Sequence, residues 1–398
     1  MSFWKTIPIG DLVEPTQSWS PSRLAGEEVF DYIDLSAVNQ DSKLIVGARK
    51  VLCSEAPSRA RQLVTKGDVL VSTVRPNLNG VAIVPENLDR AIASTGFCVV
   101  RAKPGLLDRG YLFQWVKSPA FVHDMVRKAT GASYPAVSDR IVFESHLPLP
   151  PIAEQRRIAT MLDRADELRA KRRATLAQLE ALTQAIFLDL FGDPKVNDKG
   201  WHIVRVDEAG RVQLGRQRAP KYQSGKYSHP YVRVANVYED RIDLSDVLSM
   251  DFDDKDFDAY RLAYGDILLN EGQSTELVGR PAVWRNEIAD CCFQNTLVRF
   301  QSDPKYTVAE FALALFLCYF RSGQFASVSS KTSNVAHLGA GRFAAMPFPL
   351  PPLSLQREFS RRIGILEKLK AAHRASLIQL EALFSSLQHR AFRGELPR

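Results

Sequence analysis

Cysteine is scarce and poorly placed for chemistry. The five residues Cys53, Cys98, Cys291, Cys292 and Cys318 sit mostly inside apolar runs such as GFCVVR and FLCYF, with no pair at metal-ligand spacing and no dense framework. A zinc-built or disulfide-stapled fold is excluded on this count, and reduced, buried thiols are expected. Long hydrophobic runs are missing too. The most apolar stretch, FALALFLCYF at 311–320, is too short to span a bilayer, and the opening MSFWKTIPIGDLVEP carries no basic and apolar signal segment. A cytoplasmic location is expected. There is no G-x4-G-K-[ST] phosphate loop and no Asn-Pro-Pro-Tyr or Asp-Pro-Pro-Tyr run of the kind used in amino methylation, and the seven histidines are scattered. These absences argue against an enzyme, and no metal or cofactor is expected.

What is present points to a folded protein of several parts. At 398 residues the chain exceeds one ordinary core and suits two or three domains. Hydrophobic residues make up 45% and charged residues 24%, the balance of a soluble globular chain. Lys and Arg number 52 against 45 Asp and Glu, an excess of seven that, with a pI near 9.1, favours a polyanionic partner by a small margin.

The strongest signal is an internal repeat. LPLPPIAEQRRIATMLDRADELRAKRRATLAQLEALTQAIFLDLF (147–191) aligns without gaps on FPLPPLSLQREFSRRIGILEKLKAAHRASLIQLEALFSSLQHRAF (348–392), an offset of 201 with 17 of 45 positions identical. Weaker echoes lie upstream: Trp4 against Trp201, YIDLSAV (32–38) against YVRVANV (231–237), and KGDVLVS (66–72) against YGDILLN (264–270). The whole chain is duplicated, approximately as 1–192 and 193–398.

Each half opens with short β-branched or aromatic runs separated by Gly, Pro, Asn and Asp, which predict strands and turns: VFDYIDLSAV, DVLVSTV, GVAIV and FCVVRA, then YVRVANV, DILLN, PAVW and NTLVRF. A helical stretch follows at 111–129 and again at 308–326. PLPP cannot continue a helix or a central strand and predicts a rigid spacer. Beyond it, 152–190 contains no Gly or Pro, so a helix of roughly 38 residues and about 57 Å is expected.

Apolar positions recur every three to four residues along both long helices. They are Ile158, Met161, Leu162, Ala165, Leu168, Leu176, Leu179, Leu182, Ile186 and Leu190 in one, and Phe359, Ile363, Leu366, Leu369, Leu377, Leu380, Leu383 and Leu387 in the other. A seven-residue seam explains both, interrupted at matching polar layers, Arg172 with Thr175 and His373 with Ser376. Two related helices in one chain pair most symmetrically about a two-fold axis across them, which makes them antiparallel and sends the two heads to opposite ends of a rod. The expected fold class is α+β: two mixed α/β heads joined by an intramolecular antiparallel coiled coil, with boundaries at 1–146, 147–192, 193–347 and 348–398.

A basic protein with two related heads suits a two-part site on double-stranded DNA. A rod of about 57 Å corresponds to some 17 base pairs at roughly 3.4 Å each, an upper limit on the separation. Two other readings stand beside it: a coiled-coil scaffold whose heads bind protein or carbohydrate, and a nuclease or methyltransferase with an unrecognised motif.

PLPPIAEQRRI and PLPPLSLQREF, each opening a helix that contains QLEAL, together with LFGDP, FRGEL, RPNLNGVAIV and ELVGRPAVW, resemble type I restriction-modification specificity subunits over essentially the whole chain. The second copy departs from the family pattern in having Leu355 where the first has Glu154. The resemblance implies a subunit without chemistry of its own, carrying two target recognition domains on an antiparallel helical spacer. It also implies two adenine methyltransferase subunits docked on the spacer and, in the full complex, a translocating nuclease subunit. S-adenosylmethionine, ATP and Mg²⁺ would belong to those partners. Glu154, Gln155, Arg156, Gln356 and Arg357, at the exposed helix starts, are candidate methyltransferase contacts by resemblance alone.

Reading a groove needs donors and acceptors on loops beside a rigid sheet. In the first head STVRPNLNG (72–80) offers Arg75, Asn77 and Asn79, although Asn and Gly there also suit a plain turn. The family resemblance makes KATGASYPAVSDR (128–140) a groove-facing loop, with Lys128, Thr130, Ser133, Tyr134 and Arg140. In the second head LGRQRAPKYQSGKY (214–227) offers Arg216, Gln217, Arg218 and Lys221, and EGQSTELVGR (271–280) offers Gln273, Ser274 and Thr275. SSKTSNVAHLGAGR (329–342), in the place of the 128–140 loop, offers Lys331, Thr332, Ser333, Asn334, His337 and Arg342. The basic run RAKRR (169–173) reads as a solvated helix face.

Overall fold

The computed structural model describes residues 4–21, 27–219, 223–332 and 335–396. The chain divides into two compact units, Met1–Thr175 with His373–Arg398, and Leu176–Ala372. Two long helices, Ile152–Phe191 of 40 residues and Leu353–Arg393 of 41, contribute a half to each unit. Their first residues are 201 apart, the offset of the sequence repeat.

The first unit holds a four-stranded antiparallel sheet in the order Val81–Ile83, Val69–Ser72, Phe97–Ala102 and Val13–Glu14. Side chains alternate across it. Val69, Val71, Cys98 and Val100 enter one core with the helices, while Leu70, Ala82, Phe97 and Val99 enter another on the opposite face. Burial on both faces explains why VLV (69–71) and FCVV (97–100) are continuous apolar runs. A second sheet runs in the order Gln17–Ser18, Ala60–Leu63, Ile92–Ser94, Val29–Ile33 and Arg49–Leu52, with Ile92–Ser94 parallel to Val29–Ile33.

The second unit repeats the scheme. Its main sheet is Gly210–Leu214, Leu297–Ser302, Ile267–Asn270 and Pro281–Val283, and its second is Leu248–Asp251, Ser228–Val232 and Cys292–Phe293, the last two parallel. Each head is therefore α+β, as the strand and helix patterns predict.

The PLPP spacers behave as prolines require. Among the described residues His146–Pro148 pairs only with Thr6–Pro8, and Pro347–Pro349 only with Ile203–Arg205, in two-stranded ribbons where missing amide donors cost little. Just beyond each ribbon a glutamine is sealed in. Gln155 Nε2 donates to Leu106 O (3.0 Å) and Pro150 O (2.9 Å), and its Oε1 accepts from Asp108 N at 2.8 Å. Gln356 Nε2 donates to Tyr306 O (3.0 Å) and Pro351 O (2.8 Å), while its Oε1 accepts from Val308 N (3.1 Å) and Thr307 Oγ1 (2.9 Å). With exposures of 1% and 0%, Gln155 and Gln356 are not surface contacts, contrary to the expectation from resemblance. They are latches that fix each long helix to its head.

Two further expectations change. The helical stretch at 111–129 is two helices, Arg109–Val116 and Pro119–Lys128, because Ser118 caps the second and Pro119 begins it. Its counterpart is Ala309–Arg321 and Gln324–Val328, broken at Gly323, whose φ of 74° favours glycine. Within each unit the long-helix halves run antiparallel. Arg169 stacks on Phe384 and Arg173 pairs with Glu381 in the first unit, while Lys370 pairs with Glu180 and Phe359 packs on Phe187 in the second. Arg172 hydrogen-bonds His373 in the polar layer. However, Leu168, Leu182, Leu369 and Leu383, assigned to the seam from their period, are exposed. A two-helix seam covers only a narrow stripe of each helix, and these four lie outside it.

Candidate nucleic-acid interface

Loops that are distant in sequence meet on each head. In the first unit Val74 bridges Ala136 and Ala136 bridges Thr130, so segment 72–80 and loop 128–140 lie edge to edge. Val137 N donates to Thr73 O at 2.9 Å. In the second unit the same join is a three-stranded sheet of Gly272–Gln273, Val335–His337 and Ser330–Thr332, and Leu338 N donates to Glu271 O at 2.7 Å. Val74 against Ala136 and Gly272 against His337 stand at equivalent steps. Arg75 and Gln273, one residue on, therefore occupy one place in the repeated frame.

Arg75 has a left-handed φ of 48°, and its amide donates to Pro135 O at 2.7 Å. Its guanidinium lies 4.7 Å from the centre of the Tyr134 ring, a residue 69% exposed. Asn77, Thr130 and Ser133 are exposed around this pair. Asn79 is also left-handed, with φ 47°; its Nδ2 donates to Lys117 O at 3.4 Å and its carbonyl accepts from Lys43 Nζ at 2.6 Å. It shapes the turn. Lys128 pairs with Asp124 at 2.7 Å and Arg140 with Glu144 at 2.6 Å, and both line a hollow with Asp11 and His146. Burial pushes the Asp124 carboxyl up, but Lys128 and Arg127 outweigh it and hold it below its ordinary range.

In the second unit Arg216 is largely buried, paired with Asp256 and 5.9 Å from the Phe252 ring centre, so its charge is taken up inside the head rather than offered to a ligand. Gln217 and Arg218 beside it are exposed, and Lys221 lies outside the described residues, as do Ser333 and Asn334. Gln273, Ser274 and Thr275 are half-buried, with Gln273 Oε1 accepting from Ser274 N at 3.1 Å. Lys331 and Thr332 are exposed on their strand. His337 Nδ1 sits 3.1 Å from Glu271 Oε2. Arg342 is a brace: it donates to Leu338 O (3.1 Å), His337 O (2.7 Å) and Ser330 Oγ (2.8 Å), tying the loop to the helix behind it.

Sequence reading missed two cationic features. Lys43 reaches the 72–80 turn from 36 residues upstream, and burial, then Lys117, lowers its pKa. No local pattern marks it. Arg280 takes the place of Gly80: Ser72 N donates to Gly80 O at 2.8 Å and Asn270 N to Arg280 O at 3.2 Å. Arg280 and Arg241 stack on the Tyr238 ring at 4.6 and 4.5 Å, and burial depresses the Arg280 guanidinium. Its place directly after the Gln273–Thr275 loop was the available signal.

Of the candidate partner contacts, Arg156 is exposed and 3.8 Å from Asp108, Arg357 is exposed, and Glu154 is paired with Arg157 at 2.7 Å. Leu355 packs against the second unit's core. Among the described residues there is no cluster that could hold a metal, and no helix is long and apolar enough to cross a membrane. Exposed arginine, amide and hydroxyl groups on loops beside a sheet are suited to base edges and phosphates.

Comparison with known proteins agrees with this arrangement. Residues 1–181 match the model of the type I restriction modification DNA specificity domain. The chain is 22% identical over 320 residues to the type I restriction enzyme EcoKI specificity subunit of Escherichia coli (strain K12), spanning 75% of this chain and 68% of that one. It is 27% identical over 198 residues to the HindI specificity subunit of Haemophilus influenzae, covering 48% and 42%. A solved structure from work on complex assembly and conformational transition of the type I R-M system covers 99% of this chain and 98% of its own, with a TM-score of 0.57 and 25% identity. The S subunit of the type I system from M. genitalium shares the fold, with a TM-score of 0.55, coverage of 98% and 96%, and 14% identity. With the doubled PLPP-helix element and the paired loops, these matches make the chain similar to the specificity subunits of type I restriction-modification systems.

Proposed function

We propose that the chain is the DNA-reading subunit of a type I restriction-modification complex and recognises a two-part target, one part with each head. The observation that carries this is the shared loop frame with unlike side chains, Arg75 on one head and Gln273 on the other. One frame with two contents suits two distinct half-sites rather than a palindrome. The chain performs no chemistry. Its partners are two methyltransferase subunits, which supply the adenine-modifying site, and a translocating nuclease subunit in the full complex.

The exposed leucines support two copies of one partner. The first unit presents Leu168 and Leu383, and the second presents Leu369 and Leu182, the same two positions of the repeat. Apolar side chains repeated on two helix surfaces suit a pair of like docking contacts. Arg156 and Arg357, exposed at equivalent helix starts, extend each contact.

Genome-wide adenine methylation mapping, with and without this gene beside its methyltransferase, tests the reading. The expected result is methylation at a site with two specified parts and a fixed unspecified gap. Exchanging residues 1–146 for another such head should change one part only. An unchanged methylation pattern, or a change in both parts, overturns the proposal.

A further inference from the structure

We propose that Arg75, held against Tyr134, reads a guanine in the half-site of the first head. The inference rests on the DNA-reading function above and deepens it to one residue and one base.

Four observations converge on this residue. Arg75 is exposed beside the bridge that joins the loops, and among the described residues no carboxylate pairs with it, unlike Lys128 and Arg140. Its backbone is in the left-handed region at φ 48°, sparsely populated for a residue with a side chain, and held there by the bond to Pro135 O. Such strain persists only where the surroundings enforce it, and it concentrates at functional positions. Its side chain has a preferred place as well, since the guanidinium lies over the Tyr134 ring at 4.7 Å.

The chemistry follows from what that stack uses and what it leaves. Stacking engages the face of the guanidinium. The N–H donors lie in its plane and stay available at the edge. A planar donor fork held beside the ring matches the O6 and N7 acceptors of guanine in the major groove. A phosphate can take the same fork but carries no base identity, so relaxation of a single base pair separates the two contacts. The equivalent place on the second head holds Gln273, whose Oε1 accepts from Ser274 N, so the two heads carry different chemistry at one position of the frame.

The test is methylation mapping with the full chain in complex with its methyltransferase, comparing wild type with Arg75→Gly, Arg75→Lys, Tyr134→Phe and Tyr134→Ala. Glycine suits the left-handed φ and removes the whole side chain, fork and stack together, without backbone strain. The wild-type map should require guanine at one fixed position of the half-site that follows the first head in a head exchange. Arg75→Gly should relax that position by roughly tenfold to a hundredfold while the other half-site stays fully specified. Tyr134→Phe, which keeps the ring, should retain the guanine requirement at that position, and Tyr134→Ala should relax the same base pair less than Arg75→Gly does.

A half-site without guanine overturns the inference. So does an unaltered motif in Arg75→Gly, or a uniform weakening with no base pair relaxed, which is the behaviour of a phosphate contact. If Arg75→Gly abolishes methylation altogether, Arg75→Lys and Tyr134→Ala decide: relaxation of one base pair supports the assignment, and an unchanged motif refutes it. A wild-type complex with no two-part motif would instead refute the DNA-reading function itself, so the two failures are distinguishable.

Discussion

The two units share a backbone scheme but neutralise the same buried aspartate differently. In the first, Asp68 is gripped by Arg101 through two bonds of 2.8 Å, and Arg101 keeps part of its side chain in solvent. In the second, the position of Arg101 holds Gln301, which gives Asp266 a single bond of 2.9 Å. The balancing charge comes instead from Arg299, 3.3 Å away and almost fully buried. Burial, opposed by Asp266, lowers the Arg299 pKa. One aspartate with two solutions shows that duplication preserved the sheet and let its charge partners drift.

The largest expected effect breaks that contrast directly. Asp266→Asn strands Arg299 in the interior and should cost about 3–5 kcal/mol. Asp68→Asn should cost about 1–3 kcal/mol, because Arg101 can turn to water. Denaturant unfolding of the two variants measures both, and equal losses would refute the distinction.

A smaller effect sharpens what the units hold in common. Gln155→Leu and Gln356→Leu each orphan buried backbone groups at a helix start and should each cost about 1–3 kcal/mol. Since the latches are equivalent, the two losses should agree within about 1 kcal/mol. A latch that proved dispensable in one unit would break the symmetry there.

The smallest effect is in the response to acid. Burial raises the Glu180 carboxyl, but Lys370 and Arg321 outweigh it, so its pKa lies below the ordinary 4.5. A depressed folded-state pKa means the stabilisation is present above 4.5 and is lost as pH falls below it. Glu180 is 38% exposed, so screening limits the term to less than about 1 kcal/mol. Glu180→Gln should flatten the acid limb of stability against pH, and an unchanged limb would place the dependence elsewhere.

The long helices and the strands around Asp68 and Asp266 were legible because their patterns are local and occur twice in register. Other features depend on partners that no local pattern names. Arg75 and Tyr134 are 59 residues apart and were proposed one by one; only the bridges through Ala136 make them a unit. Gln155 and Gln356, each followed by an arginine at a helix start, read as surface. Their burial depends on carbonyls almost 50 residues upstream. Leu168 and its counterparts fit a seven-residue period equally well inside the seam or beside it. Pro119 and Gly323 were visible breaks within stretches that otherwise read as continuous helix.

The first unit is completed by the far end of the chain. Phe384, Ala391 and Phe392 belong to its core, and Phe392 packs 5.4 Å from Tyr111 and 4.9 Å from Trp115. On the ribosome, the head made first must therefore wait for the last helix turns, about 10–40 s of elongation at ordinary rates. During that interval Tyr111 and Trp115 lack Phe392 over their rings and are exposed to chaperones and proteases. A lesion in the codons for Phe384, Ala391 or Phe392 would accordingly unmake a head encoded well upstream of them.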